Sequence, residues 1–211
     1  MSSVPHRISP KQRYTYADYL TWPDSPRVEL IDGKAYAMAA APSVRHQDLV
    51  LQTARQIANQ LDNTPCRPFV APLDVRLPRH PNDREQDTDR VVQPDILVVC
   101  DPNKIDERGV NGTPDWIIEI ISPGSASYDQ ITKRALYERV GVREYWAIHP
   151  IDGMVYIYRL HGERYEIDVQ PLRGQSCACV VKVCIDWDRF IPDILPDLPP
   201  TPSEDDLDAL I

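Results

Sequence analysis

One stretch decides the fold of this chain, Asp115-Trp-Ile-Ile-Glu-Ile-Ile-Ser122, with Pro123 and Gly124 closing it. Its tryptophan and isoleucines, bounded by turn residues, predict a central strand that is buried on both faces. Glu119 interrupts this apolar run. Burying an ionised carboxylate without a partner costs on the order of several kcal/mol, so such a group is usually neutralised, paired or bound to a metal. Glu119 therefore either belongs to a functional site or lies at a strand end and reaches water.

The length and composition are ordinary for a soluble globular protein. At 211 residues and 42% hydrophobic content, the chain suits one domain with a buried core. We expect a flexible N-terminus over 1–13, a folded domain over 14–192 and an acidic, proline-rich tail over 193–211. The first residues lack the apolar segment of a signal peptide, and no run of about 18 apolar residues could span a membrane. A cytoplasmic protein is therefore expected.

The net charge of −9 is concentrated near the end of the sequence. Beyond position 192 there are no lysines or arginines, but there are six acids: Asp193, Asp197, Glu204, Asp205, Asp206 and Asp208. Residues 1–192 therefore carry −3, which is still mildly acidic. This balance argues against tight, sequence-independent binding to DNA. A metal site made of carboxylates would itself account for several of the negative charges.

The five cysteines are Cys66, Cys100, Cys177, Cys179 and Cys184. Their odd number and apolar neighbours favour core thiols in a reducing compartment. The group at 177–184 lacks the paired Cys-x-x-Cys spacing of a zinc site, so zinc is not favoured.

The periodicity of the remaining sequence predicts a mixed α/β or α+β domain. Helices are expected over 15–22, over 43–62 with Ser43 as N-cap, and from 127 to a stop at Gly141. Strands are expected at 27–31, 34–38, 69–77, 96–100, 116–121, 143–149, 154–160, 165–169 and 180–185. The strand–helix–strand piece from 116 to 148 is a candidate crossover unit.

Two polar residues in these elements have an ordinary interpretation. Glu29 alternates with Val28 and Leu30 in the first strand, which is typical of a solvated outer face. His46 lies in the first turn of the helix that begins after Ser43, where a lone histidine is more often a surface or packing residue than a ligand.

Several residues nevertheless point to one kind of site. Asp95 follows a proline at the mouth of a strand, and Glu119 lies in the next long strand. Asp129, Lys133 and Tyr137 follow at i, i+4 and i+8, so they share one helix face. Asp74 and Glu29 are further carboxylates within strands. Two carboxylates with waters form a hard oxygen site suited to Mg²⁺ or Mn²⁺. Such an ion activates water and stabilises charge on a phosphodiester.

The order and spacing of these pieces resemble the Uma-type family of putative restriction endonucleases. The matching segments are Arg27-Val-Glu-Leu-Ile-Asp-Gly33, Gln93-Pro-Asp95, Ile118-Glu-Ile-Ile-Ser-Pro123, Asp129-x-x-x-Lys133-x-x-x-Tyr137, Gly141-Val142 and Glu144-Tyr-Trp146. The resemblance implies a nuclease-like domain with the PD-(D/E)XK restriction-endonuclease-like core, a mixed sheet flanked by helices, with added hairpins.

The resemblance also implies roles for individual residues. Asp95 and Glu119 would hold the metal, and Glu29 would be an additional acid of the site. The broader nuclease pattern has a lysine two residues after the second acid, where this chain has Ile121. Lys133, on the following helix, would replace it, unless it forms an exposed pair with Asp129. Asp74, Asp129 and Tyr137 are possible supporting residues.

The function expected from this family is metal-dependent endonucleolytic hydrolysis of DNA. The alternative is a catalytically weak nuclease-fold module for binding or assembly, since the body is mildly acidic and the adjacent lysine is missing. A hydrolase of a smaller phosphate ester is a third possibility. A homodimer would suit cleavage of both strands of a duplex. The aromatic hairpins near 143–169 would form either its interface or ordinary sheet core.

Overall fold

Two six-stranded sheets and one two-stranded hairpin are found in the residues that this computed structural model describes, which are 13–23, 26–38, 41–80, 82–122 and 128–195. The helices are α1 (Tyr16–Tyr19), α2 (Val44–Leu61), α3 (Arg134–Val140) and α4 (Ile191–Ile194). A π-helical segment, Tyr128–Lys133, leads directly into α3. None of the described helices is long and apolar enough to cross a membrane.

The strands are β1 (Val28–Ile31), β2 (Lys34–Ala37), β3 (Arg67–Val70), β4 (Val75–Arg76), β5 (Val91–Val92), β6 (Ile96–Val99), β7 (Ile105–Asp106), β8 (Gly109–Asn111), β9 (Trp116–Ile120), β10 (Glu144–His149), β11 (Met154–His161), β12 (Arg164–Pro171), β13 (Gln175–Ala178) and β14 (Val183–Asp186). The first sheet has the order β2-β1-β5-β4-β8-β7, the second has the order β12-β11-β10-β9-β6-β3, and β13 pairs with β14. The predicted architecture, a mixed sheet flanked by helices, is confirmed.

β9 is the predicted central strand, and every one of its residues is buried. It lies between β10, to which it runs parallel, and β6, to which it runs antiparallel. β9, α3 and β10 form the strand–helix–strand unit expected over 116–148. A parallel pair needs such a crossover because a short turn cannot return the chain in the same direction.

The alternation of side chains along β9 divides the core into two layers. Trp116, Ile118 and Ile120 pack on the side of α2, whereas Ile117 packs on the side of α3. Because successive side chains of a strand point to opposite faces, Glu119 lies on the side of α3 with Ile117. The fold thus directs the one acid of the central strand towards the helix that follows it.

Two predicted strands differ from those observed. The segment 69–77 is not one strand but belongs to β3 and β4, which lie in different sheets. Pro72 interrupts it and has no N–H to donate to a ladder. The last strand starts only at Val183, and its partner β13 was not predicted because its sequence, Gln-Ser-Cys-Ala, is short and largely polar.

The prediction of core thiols was wrong. Cys66 is bonded to Cys100 and Cys177 to Cys184 in two disulfides, while Cys179 retains an exposed thiol. Cys66 directly precedes β3 and Cys100 directly follows β6, its antiparallel partner, and Cys177 is directly opposite Cys184 in the β13–β14 register. The sequence does not show which strands pair, so it could not place these side chains within bonding distance.

Arg76 is fully buried in β4, and its side chain contacts other segments around the first sheet. Its Nη2 donates to both carboxylate oxygens of Asp106 at 2.7 and 2.8 Å, and its Nη1 donates to Glu85. Its Nε donates to the carbonyl oxygen of Val110 at 3.3 Å. These contacts hold the β7–β8 hairpin and the turn at Glu85 in place.

We expect Arg76→Met to lower the free energy of unfolding by about 3 kcal/mol, because the charged hydrogen bonds of the buried guanidinium to Asp106 and Glu85 are lost. Equilibrium unfolding in urea measures this change. Arg84→Met is the matched control, since Arg84 is largely exposed and pairs with the nearby Asp87. It is expected to leave the urea midpoint unchanged. Equal losses in the two variants would contradict the role given to Arg76.

Candidate active site

Asp95 and Glu119 meet where β6 lies beside β9. Ile96 is opposite Ile118 in this antiparallel pair, so extending the register by one residue places Asp95 opposite Glu119. The backbone N–H of Asp95 donates to Oε2 of Glu119 over 3.4 Å. The backbone N–H of Ile120 donates to Oδ2 of Asp95 over 2.8 Å. The two acids predicted as metal ligands therefore lie beside each other at one edge of this strand pair.

Lys133 is buried and connects two of the predicted acids. Its Nζ is 2.8 Å from Oε1 of Glu119 and 3.0 Å from Oε1 of Glu29. Only 3% of the lysine is exposed, so the alternative of an exposed pair with Asp129 does not apply. The ammonium group that contacts Glu119 thus comes from the helical segment after β9, whereas Ile121 occupies the position of the lysine in the broader nuclease pattern.

Glu29 is 1% exposed, so its interpretation as part of a solvated face was wrong. β1 lies between β2 and β5, and both of its faces are covered. Leu30 clusters with Tyr16 of α1 on one side, and Glu29 contacts Lys133 on the other. The backbone N–H of Gln93 also donates to Oε1 of Glu29 over 2.7 Å.

Tyr137 donates its hydroxyl to Oε1 of Glu119 over 2.8 Å. Burial, followed by the negative charge of Glu119, holds the pKa of Tyr137 well above its usual range, so the phenol remains a donor. Lys133 ends the π-helical segment and Tyr137 lies one turn later in α3. Residues four apart share a helix face, and both side chains meet the same oxygen.

Asp74 does not join the cluster in the same way. The carboxylate of Asp74 accepts from Tyr19 at 2.9 Å and from Nε2 of Gln93 at 2.9 Å. Its connection to Glu29 runs through Gln93, whose backbone contacts Glu29. The side chain of Asp129 lies outside the described part of the structure.

His46, to which sequence reasoning gave less weight, lies against one of the predicted site residues. Its Nε2 is 3.2 Å from Oδ2 of Asp95. The two residues are 49 positions apart, so no local spacing could have indicated the contact. The only signal in the sequence was that a histidine at the start of a helix is well placed to face a neighbouring loop.

Among the residues that the structure describes, the cluster carries more negative than positive formal charge. Glu29, Asp95 and Glu119 supply three carboxylates, while Lys133 supplies one ammonium. Glu29 and Glu119 are almost completely buried, and the side chain of Asp95 is 20% exposed. Because unbalanced buried charge is unfavourable, this arrangement favours binding of a cation beside Asp95, where solvent can reach.

The donor set fits magnesium or manganese. Within the described ranges, no group of three or more His, Cys, Asp or Glu side chains is arranged to hold a metal by itself. Mg²⁺ is commonly bound through one or two carboxylates, with waters and substrate phosphates filling its remaining positions. The pair Asp95 and Glu119 supplies that number of hard oxygen ligands.

Comparison with known families points in the same direction. The sequence matches a family model described as Uma2, putative restriction endonuclease, over residues 16–179. That range includes Glu29, Asp95, Glu119 and Lys133.

Two individual proteins are also similar. A Synechocystis sp. protein described as uncharacterized is 26% identical over 131 residues, which is 61% of this chain and 64% of the relative. The match thus spans less than two thirds of that relative. The crystal structure of a putative nuclease belonging to DUF820 from Anabaena variabilis superposes with a TM-score of 0.67 at 21% identity. It covers 86% of this chain and 99% of that protein, and the likeness confirms the fold.

Proposed function

The chain belongs to the Uma2 family of putative restriction endonucleases, and from this premise we propose that it is a metal-dependent endonuclease that hydrolyses phosphodiester bonds in DNA. One observation in the structure, in addition to the family match, supports metal-dependent hydrolysis. Among the described residues, three carboxylates share a largely buried site with one ammonium, and two of them, Asp95 and Glu119, lie side by side, with the side chain of Asp95 partly exposed to solvent.

Mg²⁺ or Mn²⁺ would be held by Asp95 and Glu119. When bound, such an ion supplies a water of lowered pKa and stabilises the negative charge that develops on the phosphate. Lys133 and Tyr137 both donate to Oε1 of Glu119, so Oε2 is the oxygen on the side of Asp95. These two donors fix the carboxylate before any ligand arrives.

Lys133 and Glu29 form the buried part of the proposed machinery. The Lys133 ammonium provides positive charge next to the metal ligand Glu119, where it can attract a phosphate oxygen or orient a water. Glu29 holds that ammonium in place from the other side. We assign Glu29 as the additional acid, acting through Lys133, and Lys133 as the substitute for the missing adjacent lysine.

We also propose a homodimer, because two active sites related by a two-fold axis can cut both strands of a duplex. The aromatic residues considered for its interface are already used in the fold: Tyr145 and Trp146 are fully buried, and Tyr158 stacks on Tyr145. We propose a cytoplasmic location only because the proposed substrate is DNA. The two disulfides do not support this location, because disulfides are more typical of oxidising compartments.

A nicking assay on supercoiled plasmid tests the function. The wild-type protein is expected to convert the plasmid to its open form in Mg²⁺ or Mn²⁺ and to lose this activity in EDTA. Asp95→Asn should be inactive while remaining folded. Retention of DNA binding by wild-type protein without cleavage in either metal would instead favour the alternative, a nuclease-fold binding or assembly module.

A further inference from the structure

His46 lies against the proposed metal ligand Asp95, although the function described above gives it no role. Its Nε2 is 3.2 Å from Oδ2 of Asp95, and only 15% of the His46 side chain is exposed. An ionised carboxylate has acceptor oxygens only, so the ring nitrogen must donate in this contact.

The position of His46 is fixed by the start of α2. Ser43 is the N-cap of this helix, and its Oγ accepts from the backbone N–H of His46 over 3.2 Å. One turn further on, Leu49 and Val50 are buried in the core that α2 shares with β9. Because the helix is anchored at both points, the imidazole is held at the end of the sheet.

Two donors from different elements meet at one oxygen of Asp95. Ile120 donates its backbone N–H from β9, and His46 donates from α2, both to Oδ2. A carboxylate with two donors on one oxygen has little freedom to rotate, and its other oxygen is available to a cation. Donors that orient a ligating group in this way commonly affect metal affinity by about 10- to 100-fold.

We propose that His46 is a positioning residue of the metal site, whose Nε2–H holds the Asp95 carboxylate in the orientation that binds Mg²⁺ or Mn²⁺. This inference rests on the proposed function, because it assumes that Asp95 is a metal ligand. It adds α2 to the elements that build the site.

Isothermal titration of the full chain with Mn²⁺ tests the proposal without relying on cleavage. We expect His46→Ala and His46→Leu to raise the Kd for Mn²⁺ by about 10-fold or more. His46→Gln should stay within about threefold of wild type, because its side-chain amide can donate to the same oxygen. The control is His161→Ala, since His161 is exposed and faces Glu166 far along the second sheet.

The outcomes separate this inference from the function on which it depends. Wild-type affinity in His46→Ala and His46→Leu would overturn the positioning role, and so would a His46→Gln variant as weak as His46→Ala. Urea unfolding without metal shows that the variants are folded. If Asp95→Asn binds Mn²⁺ as tightly as wild type, the proposed metal site itself is wrong.

Discussion

Replacing Glu119 by glutamine is expected to reduce metal-dependent cleavage by about 1000-fold or more while the protein remains folded. The amide oxygen of a glutamine can still accept from Lys133 and Tyr137, so packing in the α3 layer is retained. The variant lacks the negative charge that a divalent cation needs, and loss of about 4 kcal/mol of transition-state stabilisation corresponds to this change in rate. Plasmid nicking rates, with circular dichroism as the check on folding, measure the effect.

Glu144 provides a matched control for a buried glutamate in a neighbouring strand. It is 1% exposed in β10, and its carboxylate accepts from Nε1 of Trp146 and from the backbone N–H groups of Cys179 and Val180. These are structural contacts that hold the turn before β14. Glu144→Gln is expected to lower the urea midpoint and to leave cleavage per folded molecule unchanged. If Glu119→Gln instead lowers the urea midpoint and leaves cleavage per folded molecule unchanged, while Glu144→Gln loses cleavage, then Glu119 is structural.

Replacing Lys133 by methionine is expected to lower the free energy of unfolding by about 3–5 kcal/mol, because Glu29 and Glu119 would remain buried without their shared positive partner. Equilibrium unfolding in urea at neutral pH, without metal, measures this loss. Adding Glu119→Gln to Lys133→Met should recover part of it, since one of the two uncompensated charges is removed.

Lys104→Met is the control for this experiment. Lys104 is half-buried, and its Nζ donates to the carbonyl oxygen of Thr113 over 2.9 Å, so about 1 kcal/mol is expected. Comparable losses in the two lysine variants, with no recovery in the double variant, would contradict the account of Lys133 as the counter-ion of two buried acids.

Local patterns were sufficient to predict the elements that form the site. The apolar run around Glu119 predicted β9, and the Asp-Gly turn at Asp32 predicted the β1–β2 hairpin. The N-cap Ser43, followed by an apolar stripe at helical spacing, predicted α2. These signals depend on periodicity, turn chemistry and capping, which act over a few residues. They also favoured a buried, unusual carboxylate at Glu119 before any contact was known.

Contacts between distant segments could not be predicted in this way. The burial of Glu29 depends on how α1 and Lys133, at the end of the π-helical segment, cover β1, whereas its alternating pattern indicated a solvated face. The contact of His46 with Asp95 and both disulfides join segments whose pairing is set by the sheet order. Spacing along the sequence singled out Glu29 and Lys133 as candidates, and the resemblance to the nuclease family supplied their roles, since periodicity is equally compatible with surface charges at both positions.

The central claim is that Asp95 and Glu119 together bind a divalent cation, and crystals soaked in MnCl₂ test it most directly. The account predicts an anomalous difference peak between these two carboxylates, with Lys133 still in contact with Glu119. No manganese peak at this position, with Lys133 in place and both acids in their described contacts, would contradict the claim.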